Sequence, residues 1–416
     1  MKRNRLLFGL AVFPLAVWAL WFLLGKLLAS VLASALGARL LKLGDGKFTD
    51  PAVFIQMRLQ DLALLASAAS LLTLACLLAG CWFRRRLPSR LRWVANSLVL
   101  FLCCNLFAAI ASHTVLFWCL LFTGQDNTHN YTQYQIKRGL MREIAVPRQA
   151  VLLGSSQTHA EIDKRLLNAR LGRQLWTSEL HFPGSRPFDM LLSLEDLPPV
   201  KIDYVIVYLS EGYFYSGASS EADMFFMRWR DLGQFYECGG KNVDAGRFFT
   251  YGLLGDVLPL FRLREPIASR LFGFAILGLN QERRDQSLSA DLAERARTAA
   301  AAYRLGPESD FQKKAFALFA GKCRERHARL VLCCGQLNPI LGRALDPALR
   351  PDMLACLRDL ARRDPNIILL EESQLPVQTE KDYMDLTHVD QANQVRFTEY
   401  METVLQKLLL TPPAGI

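Results

Sequence analysis

Val151-Leu-Leu-Gly-Ser-Ser156-Gln decides how the last two thirds of the chain fold. The run is a short apolar strand that breaks at Gly154 into a turn with two hydroxyls, followed by a helical pattern from Ala160 to Leu171. A hydroxyl in this turn lies at a strand's carboxyl end and a helix's N-terminus, where α/β sheets place reactive groups. Ser156 is therefore either a nucleophile or the N-cap of the helix.

A second motif, Asp385-Leu-Thr-His388, comes more than two hundred residues later, just ahead of an amphipathic pattern from Gln391 to Leu410. An acid and a histidine three residues apart can leave one turn on the same side, as the orienting group and the base of a triad. Each motif alone carries a real risk of a chance match. In this order and context, the two together predict a serine nucleophile with its base.

With these motifs, residues 146–410 resemble the SGNH (GDSL-like) hydrolase superfamily. The resemblance implies a flavodoxin-type α/β fold in which Ser156 is the nucleophile and Asp385 and His388 complete the triad. Ser155 replaces the usual Asp of the first family motif. The resemblance also implies that the backbone amides of Ser156 and Gly184 hold the oxyanion.

Block III of that family fits this chain worst. After the apolar strand 203–209 the family has Gly-x-Asn-Asp, whereas this chain has Ser210-Glu211-Gly-Tyr. A carboxylate at Glu211 would repel a developing oxyanion, so it binds an amine or points away. Ser155, Ser210 and His159 are further pocket candidates, although the position of His159 favours a solvent-facing side chain over a pocket role, and the same two arrangements are open to His181.

No cofactor or metal is expected from the sequence. The chain has no signature for coenzyme A or an acyl carrier, and its Cys, His and acidic residues nowhere show the linear spacing of zinc ligands. The five cysteines after residue 124 are either buried thiols or include one disulfide, for which Cys323 with Cys356 is the candidate pair.

Apolar runs at 6–25, 62–83 and 93–122 are each long enough to cross a bilayer, for which about 20 apolar residues suffice. They predict a transmembrane region over 1–124 with three spans, followed by a polar linker over 125–149. A cleaved signal peptide is the alternative for the first run. Two further spans and the length of that run favour an anchor.

Charge predicts the orientation of these spans. Basic residues precede the first run and fill the short loop after the second: Lys2, Arg3, Arg5, Arg84, Arg85, Arg86, Arg90 and Arg92. The positive-inside rule places both segments in the cytoplasm, so the chain after residue 124 faces the periplasm or the extracellular side. These arginines account for much of the net charge of +10. No nucleic-acid module is visible, and we expect no nucleic-acid binding.

Apolar strands at 150–153, about 174–181, 203–209, 329–334 and 366–370 alternate with helical patterns, which predicts a parallel sheet in an outward domain over 150–410. An insertion at 211–305 interrupts this alternation of strands and helices. Its first part is rich in aromatic residues, and its middle is strongly apolar. Its helices cap the sheet, form a lid over the serine, or lie on the bilayer or on a membrane partner.

Together these features predict acyl transfer at the cell envelope. Outward-facing anchored proteins of this shape resemble partners of membrane-bound O-acyltransferases, such as the alginate and peptidoglycan acetylation proteins and the teichoic-acid D-alanyl-transfer protein. The resemblance implies an O-acyltransferase that acts on an envelope polysaccharide. An envelope carbohydrate esterase and a non-catalytic assembly subunit are the alternatives.

Overall fold

A computed structural model describes residues 18–20, 22–23, 58–122, 127–141, 146–217, 223–243, 246, 252, 254–272 and 292–410. The chain divides into two compact units. The first, here called the helical unit, comprises Met1–Gly139 and Leu254–Glu282, and the second, the sheet unit, comprises Leu140–Leu253 and Arg283–Ile416. Most of the predicted first span lies outside the described residues.

The α-helices in the described part of the chain are, in order, α1 (Leu59–Arg86), α2 (Ser89–Ala111), α3 (Val115–Leu121), α4 (Asn127–Leu140), α5 (Ser156–Glu161), α6 (Lys164–Leu171), α7 (Pro187–Glu195), α8 (Glu211–Tyr215), α9 (Asp223–Phe226), α10 (Leu232–Glu237), α11 (Leu254–Val257), α12 (Pro259–Phe272), α13 (Leu292–Ala300), α14 (Pro307–Glu325), α15 (Pro339–Ala344), α16 (Leu349–Arg363) and α17 (Gln391–Leu410).

In the helical unit, α1 and α2 are long and apolar enough to cross a membrane. They separate at Leu87-Pro88, because the residue before a proline is driven out of the helical region. The predicted third span, 93–122, is not one helix: α2 ends at Ala111, and α3 begins after Thr114, whose hydroxyl accepts from the Phe117 amide at 3.3 Å. The predicted polar linker, 125–149, contains α4.

The sheet unit is built on five parallel strands, β1 (Gln149–Leu152), β2 (Trp176–Glu179), β3 (Tyr204–Leu209), β4 (Arg329–Cys334) and β5 (Ile367–Leu370). All five lie where the sequence predicts them, and their order is β2-β1-β3-β4-β5. This is the strand order of flavodoxin-like doubly wound sheets. The mixed α/β class with a parallel sheet is confirmed.

Packing on both faces explains why the strands are apolar throughout. Every residue of β1 and β3 is buried, and one core cluster joins β1, β3 and β4 to α6 and α17 through Leu152, Ile206, Val331, Leu167 and Phe397. Leu152 and Glu179, the last residues of β1 and β2, pair with each other, so the carboxyl ends of these two neighbouring strands meet at one edge of the sheet.

The predicted insertion, 211–305, is divided between the two units. Its aromatic start forms α8, which packs on α14 and α16 within the sheet unit and buries Tyr213, Phe214 and Tyr215. The apolar α12 instead packs on α2 and α3 in the helical unit, where Asn105 Oδ1 of α2 accepts from the Leu260 amide at 3.2 Å. The first part of the insertion thus lies against helices of the sheet unit, whereas α12 belongs to the helical unit.

All ten cysteines are free thiols. The pairing of Cys323 with Cys356 does not form, and Cys323, Cys333 and Cys334 are buried among apolar side chains. They are packing residues of the sheet unit.

Candidate active site

The turn after β1 is shaped by Gly154. Its φ of +127° lies in a region that L side chains rarely adopt, and a Cβ there would come within 2.5 Å of Thr158 Oγ1 and 2.9 Å of the Tyr213 hydroxyl. Both close atoms belong to buried side chains that pack behind the turn. The turn therefore needs glycine, and it delivers Ser156 to the first position of α5.

The neighbouring Ser155 caps α5. Its Oγ accepts from the Gln157 amide at 3.2 Å, and both its backbone N–H and its hydroxyl donate to the Tyr213 hydroxyl, at 2.8 and 2.7 Å. The capping role that sequence alone leaves open for Ser156 is thus filled by the residue before it. The hydroxyl of Ser156 is left for another contact.

That contact is with the histidine of the second motif. Ser156 Oγ lies 2.8 Å from His388 Nε2, and His388 Nδ1 lies 2.8 Å from Asp385 Oδ2. The three side chains form the hydroxyl–imidazole–carboxylate relay that activates serine nucleophiles. The structure thus brings Ser156 into contact with a histidine 232 positions later in the sequence.

The Asp385 carboxylate is held firmly in its turn. Burial opposes its ionisation, but the hydrogen bond and the charge of His388, together with the backbone amides of Thr387 and His388, outweigh burial and hold the pKa of Asp385 well below its usual range. Oδ1 accepts from those two amides at 2.7 and 2.8 Å, which leaves Oδ2 for the imidazole. Asn338, which follows β4, donates from Nδ2 to the Asp385 carbonyl at 3.0 Å.

Two backbone amides are available to a developing negative charge. Ser156 is the first residue of α5, so its N–H points out of the helix, and Gly184 lies in a turn after β2 with φ of +72°. Neither amide has an intramolecular acceptor within the described residues. Apart from its chain neighbours, no part of the described residues lies within 4 Å of the point where a Gly184 Cβ would be, so they leave the turn open on that side.

The two residues that follow β3, Ser210 and Glu211, make structural contacts. Buried Ser210 donates to Gln157 Oε1 at 2.7 Å and ties the end of β3 to α5. Glu211 accepts from Arg350 Nη1 at 3.3 Å, and Arg350 also donates to the carbonyl of Gly335. Burial raises the pKa of Glu211 against the opposing charge of Arg350. The carboxylate thus faces an arginine of α16.

His159 and His181 meet at a buried carboxylate. His159 Nδ1 contacts Glu179 Oε1, His181 Nδ1 lies 3.1 Å from the same oxygen, and the two imidazoles stack with centroids 4.5 Å apart. The side chain of His159 is 57% exposed, whereas that of Glu179 is 3% exposed. Linear spacing gave no sign of this cluster.

Sequence reasoning missed Tyr213, Asn338 and Glu179. Tyr213 belongs to an aromatic cluster in the sequence that is typical of a hydrophobic core. Asn338 precedes a proline, as ordinary helix caps do, and its Oδ1 accepts from the Ile340 amide at 2.9 Å. Glu179 ends an otherwise plain strand. A carboxylate in the last position of a buried strand was the one signal that could have drawn attention, because such a group needs partners.

Comparison of the chain with protein-family models and with curated proteins finds no match to either.

Proposed function

We propose that this protein is a serine-dependent acyltransferase of the SGNH type that acts on a cell-envelope or exported polysaccharide. The observation that carries the proposal is the Ser156–His388–Asp385 relay, with both hydrogen bonds at 2.8 Å. A lone capping serine and a lone core histidine would not meet in this arrangement. Their geometry favours an enzyme over a non-catalytic assembly subunit.

The reaction starts with general-base attack. His388 Nε2 takes the proton of Ser156 as Oγ adds to the ester carbonyl of the acyl donor, while Asp385 stabilises the imidazolium. The tetrahedral oxyanion is held by the amides of Ser156 and Gly184. When the C–O bond to the leaving group breaks, His388 returns the proton to that oxygen, and an acyl-serine remains.

The second half repeats these steps with the acceptor. His388 deprotonates a sugar hydroxyl, whose oxygen adds to the acyl carbon, and collapse of the intermediate returns the proton to Ser156 Oγ. The polysaccharide then carries the acyl group. If water is the acceptor, the same residues make an esterase that releases the free acid.

A membrane location would support the transferase. Helices α1 and α2 are long and apolar enough to cross a bilayer. The last turn of α1 contains three arginines, Arg84, Arg85 and Arg86. Under the positive-inside rule this end is cytoplasmic and the sheet unit faces the periplasm or the extracellular side. There it would meet envelope polymers, and a multi-span membrane-bound O-acyltransferase is the donor partner we propose.

The experiment compares variants of the triad in cells that carry the gene and its neighbours. Ser156→Ala and His388→Ala should each lower ester-linked acyl groups on the polymer by roughly three or more orders of magnitude, with no further loss in the double variant. Ser155→Ala is the matched control, since it removes the neighbouring hydroxyl and one cap, at a cost of about 1 kcal/mol of stability, while the relay stays intact.

Fluorophosphonate labelling of membranes gives a second readout. The wild-type chain and Ser155→Ala should be labelled, and Ser156→Ala should not be. If all of these variants acylate the polymer normally while deletion of the gene abolishes acylation, the domain is a scaffold and the enzyme proposal is wrong.

A further inference from the structure

We infer that His159, Glu179 and His181 form a binding site for a divalent transition-metal ion, Zn²⁺ above all, beside the nucleophile. The site is separate from the Ser156–His388–Asp385 relay and does not depend on the proposed function. It follows from where the fold places these three side chains.

The sheet explains why the three side chains converge. Glu179 is the last residue of β2, and its pairing with Leu152 places it beside the end of β1, from which the chain turns into α5. His181 follows two residues later, on the same side of an extended segment. His159 lies one turn after Ser156 on α5.

The donor atoms suit zinc. One atom from each of the three side chains lies within 4.8 Å of the other two, and His181 Nδ1 is 3.1 Å from Glu179 Oε1. With metal–ligand bonds of about 2.0–2.1 Å, tetrahedral coordination separates neighbouring ligand atoms by about 3.3 Å. Two imidazoles and one carboxylate are a known ligand set for zinc that keeps one position open. Hard ions such as Ca²⁺ and Mg²⁺ prefer oxygen ligands.

Burial and charge favour a cation at this point. Glu179 is almost fully enclosed, and a cation bound to its carboxylate would compensate the hydration that burial removes. The stacked imidazoles must turn apart as an ion enters between them. His159 can turn because 57% of its side chain is exposed, and this exposed side also gives the entry path.

Metal binding would connect two parts of the neighbouring site. His159 is on the helix that begins with Ser156, and His181 starts the loop that carries Gly184. An ion shared by them would hold these two segments at a fixed separation. Slower hydrogen–deuterium exchange at 156–161 and 179–184 on addition of Zn²⁺ is the expected consequence.

The test is a zinc titration of the full chain in detergent, stripped of metal and followed by competition with a chromogenic chelator. One Zn²⁺ per chain should bind, and Glu179→Gln, which keeps the shape of the side chain, should weaken binding by about 100-fold or more, because loss of a partner outside the ligand shell already costs about 10–100-fold. X-ray absorption should show two imidazole nitrogens near 2.0–2.1 Å.

Two histidine variants are the matched controls. His327→Ala lies outside the cluster, and His388→Ala removes the imidazole of the relay, so both should bind zinc like the wild-type chain. His159→Ala changes an exposed side chain and carries the test if Glu179→Gln does not fold. Absence of stoichiometric binding, binding that survives His159→Ala and Glu179→Gln, or binding that disappears with His388→Ala would each overturn the inference.

Discussion

Asp385→Asn tests whether the His388 base must be correctly oriented as well as present, because it removes one charge from the neighbouring side chain and keeps its shape. Oδ1 accepts from the amides of Thr387 and His388 at 2.7 and 2.8 Å, while Oδ2 faces His388 Nδ1. An asparagine can satisfy these two amides only with its oxygen, so its NH2 group must face the imidazole. Nδ1 then has to accept, the ring proton moves to Nε2, and His388 cannot take the proton of Ser156.

The magnitude follows from this change of tautomer. The same carboxylate-to-amide change in a serine-protease triad lowers kcat by about four orders of magnitude, equal to about 5.4 kcal/mol of transition-state stabilisation. We expect a similar loss here, smaller than for Ser156→Ala. The assay is the hydrolysis of a p-nitrophenyl ester by the full chain in detergent at neutral pH.

Asp390→Asn is the matched control for this experiment. Asp390 lies in the same segment, and its Oδ1 accepts from the Asn393 amide at 2.9 Å, a bond that an asparagine can keep. Its kcat should stay near wild type. If Asp385→Asn also keeps the wild-type kcat while both variants melt like the native protein, the carboxylate does not set the tautomer of the base and our reasoning about the relay is wrong.

Three further predictions concern charge and topology. Glu211→Gln should leave the rate of ester hydrolysis intact or raise it, and a stable but inactive variant would give that residue a catalytic role. Arg350→Ala should lower the free energy of unfolding, measured by chemical denaturation, by about 3–5 kcal/mol, because it leaves a buried carboxylate without its cation. Burial raises the pKa of Glu161 to about 7, so the folded protein keeps a proton that the unfolded chain loses, and stability falls as pH rises from about 4.5 to 7. Glu161→Gln should remove this pH dependence. Relative to the wild-type chain, the variant should be more stable by up to about 3 kcal/mol above pH 7 and nearly unchanged below pH 4.5. An equal change in stability at both pH values would show that the pKa of Glu161 is not raised. A topology reporter fused after residue 88 should be cytoplasmic and one fused after residue 130 outside, and a cytoplasmic second reporter would exclude an envelope substrate.

Strand positions could be predicted closely because they depend on local composition. A run such as Tyr204–Leu209, apolar at every position, fits only a strand that is buried on both faces. The relay could also be predicted, because its residue types and their order along the chain carry chemical meaning. Helix ends were less predictable: the pattern from Ala160 to Leu171 is two helices, since Asp163 caps α6 through its carboxylate and ends the first helix.

Features that depend on distant packing could not be predicted. The apolar pattern of α12 suits a cap on the sheet as well as a helix against α2. Contacts with α2, such as the hydrogen bond from the Leu260 amide to Asn105 Oδ1, distinguish these arrangements. The cluster at Glu179 has the same origin, since its two histidines are 22 positions apart and meet through strand pairing. The periodicity of apolar residues indicates which face of a helix or strand is buried, but it does not indicate which element packs against that face.

The segment after β3 holds the turn before Ser156 in place. Ser210 fixes the Gln157 side chain, and Tyr213 accepts from both donors of Ser155, so this segment anchors the start of α5. Glu211 is paired with Arg350 and contributes to the same support. With these three side chains committed to structural contacts, the stabilisation of an oxyanion would rest on the amides of Ser156 and Gly184. A site of this kind depends on the placement of its backbone more than on any single side-chain donor, and this placement is determined by Gly154, Tyr213 and the backbone amide of Ser155.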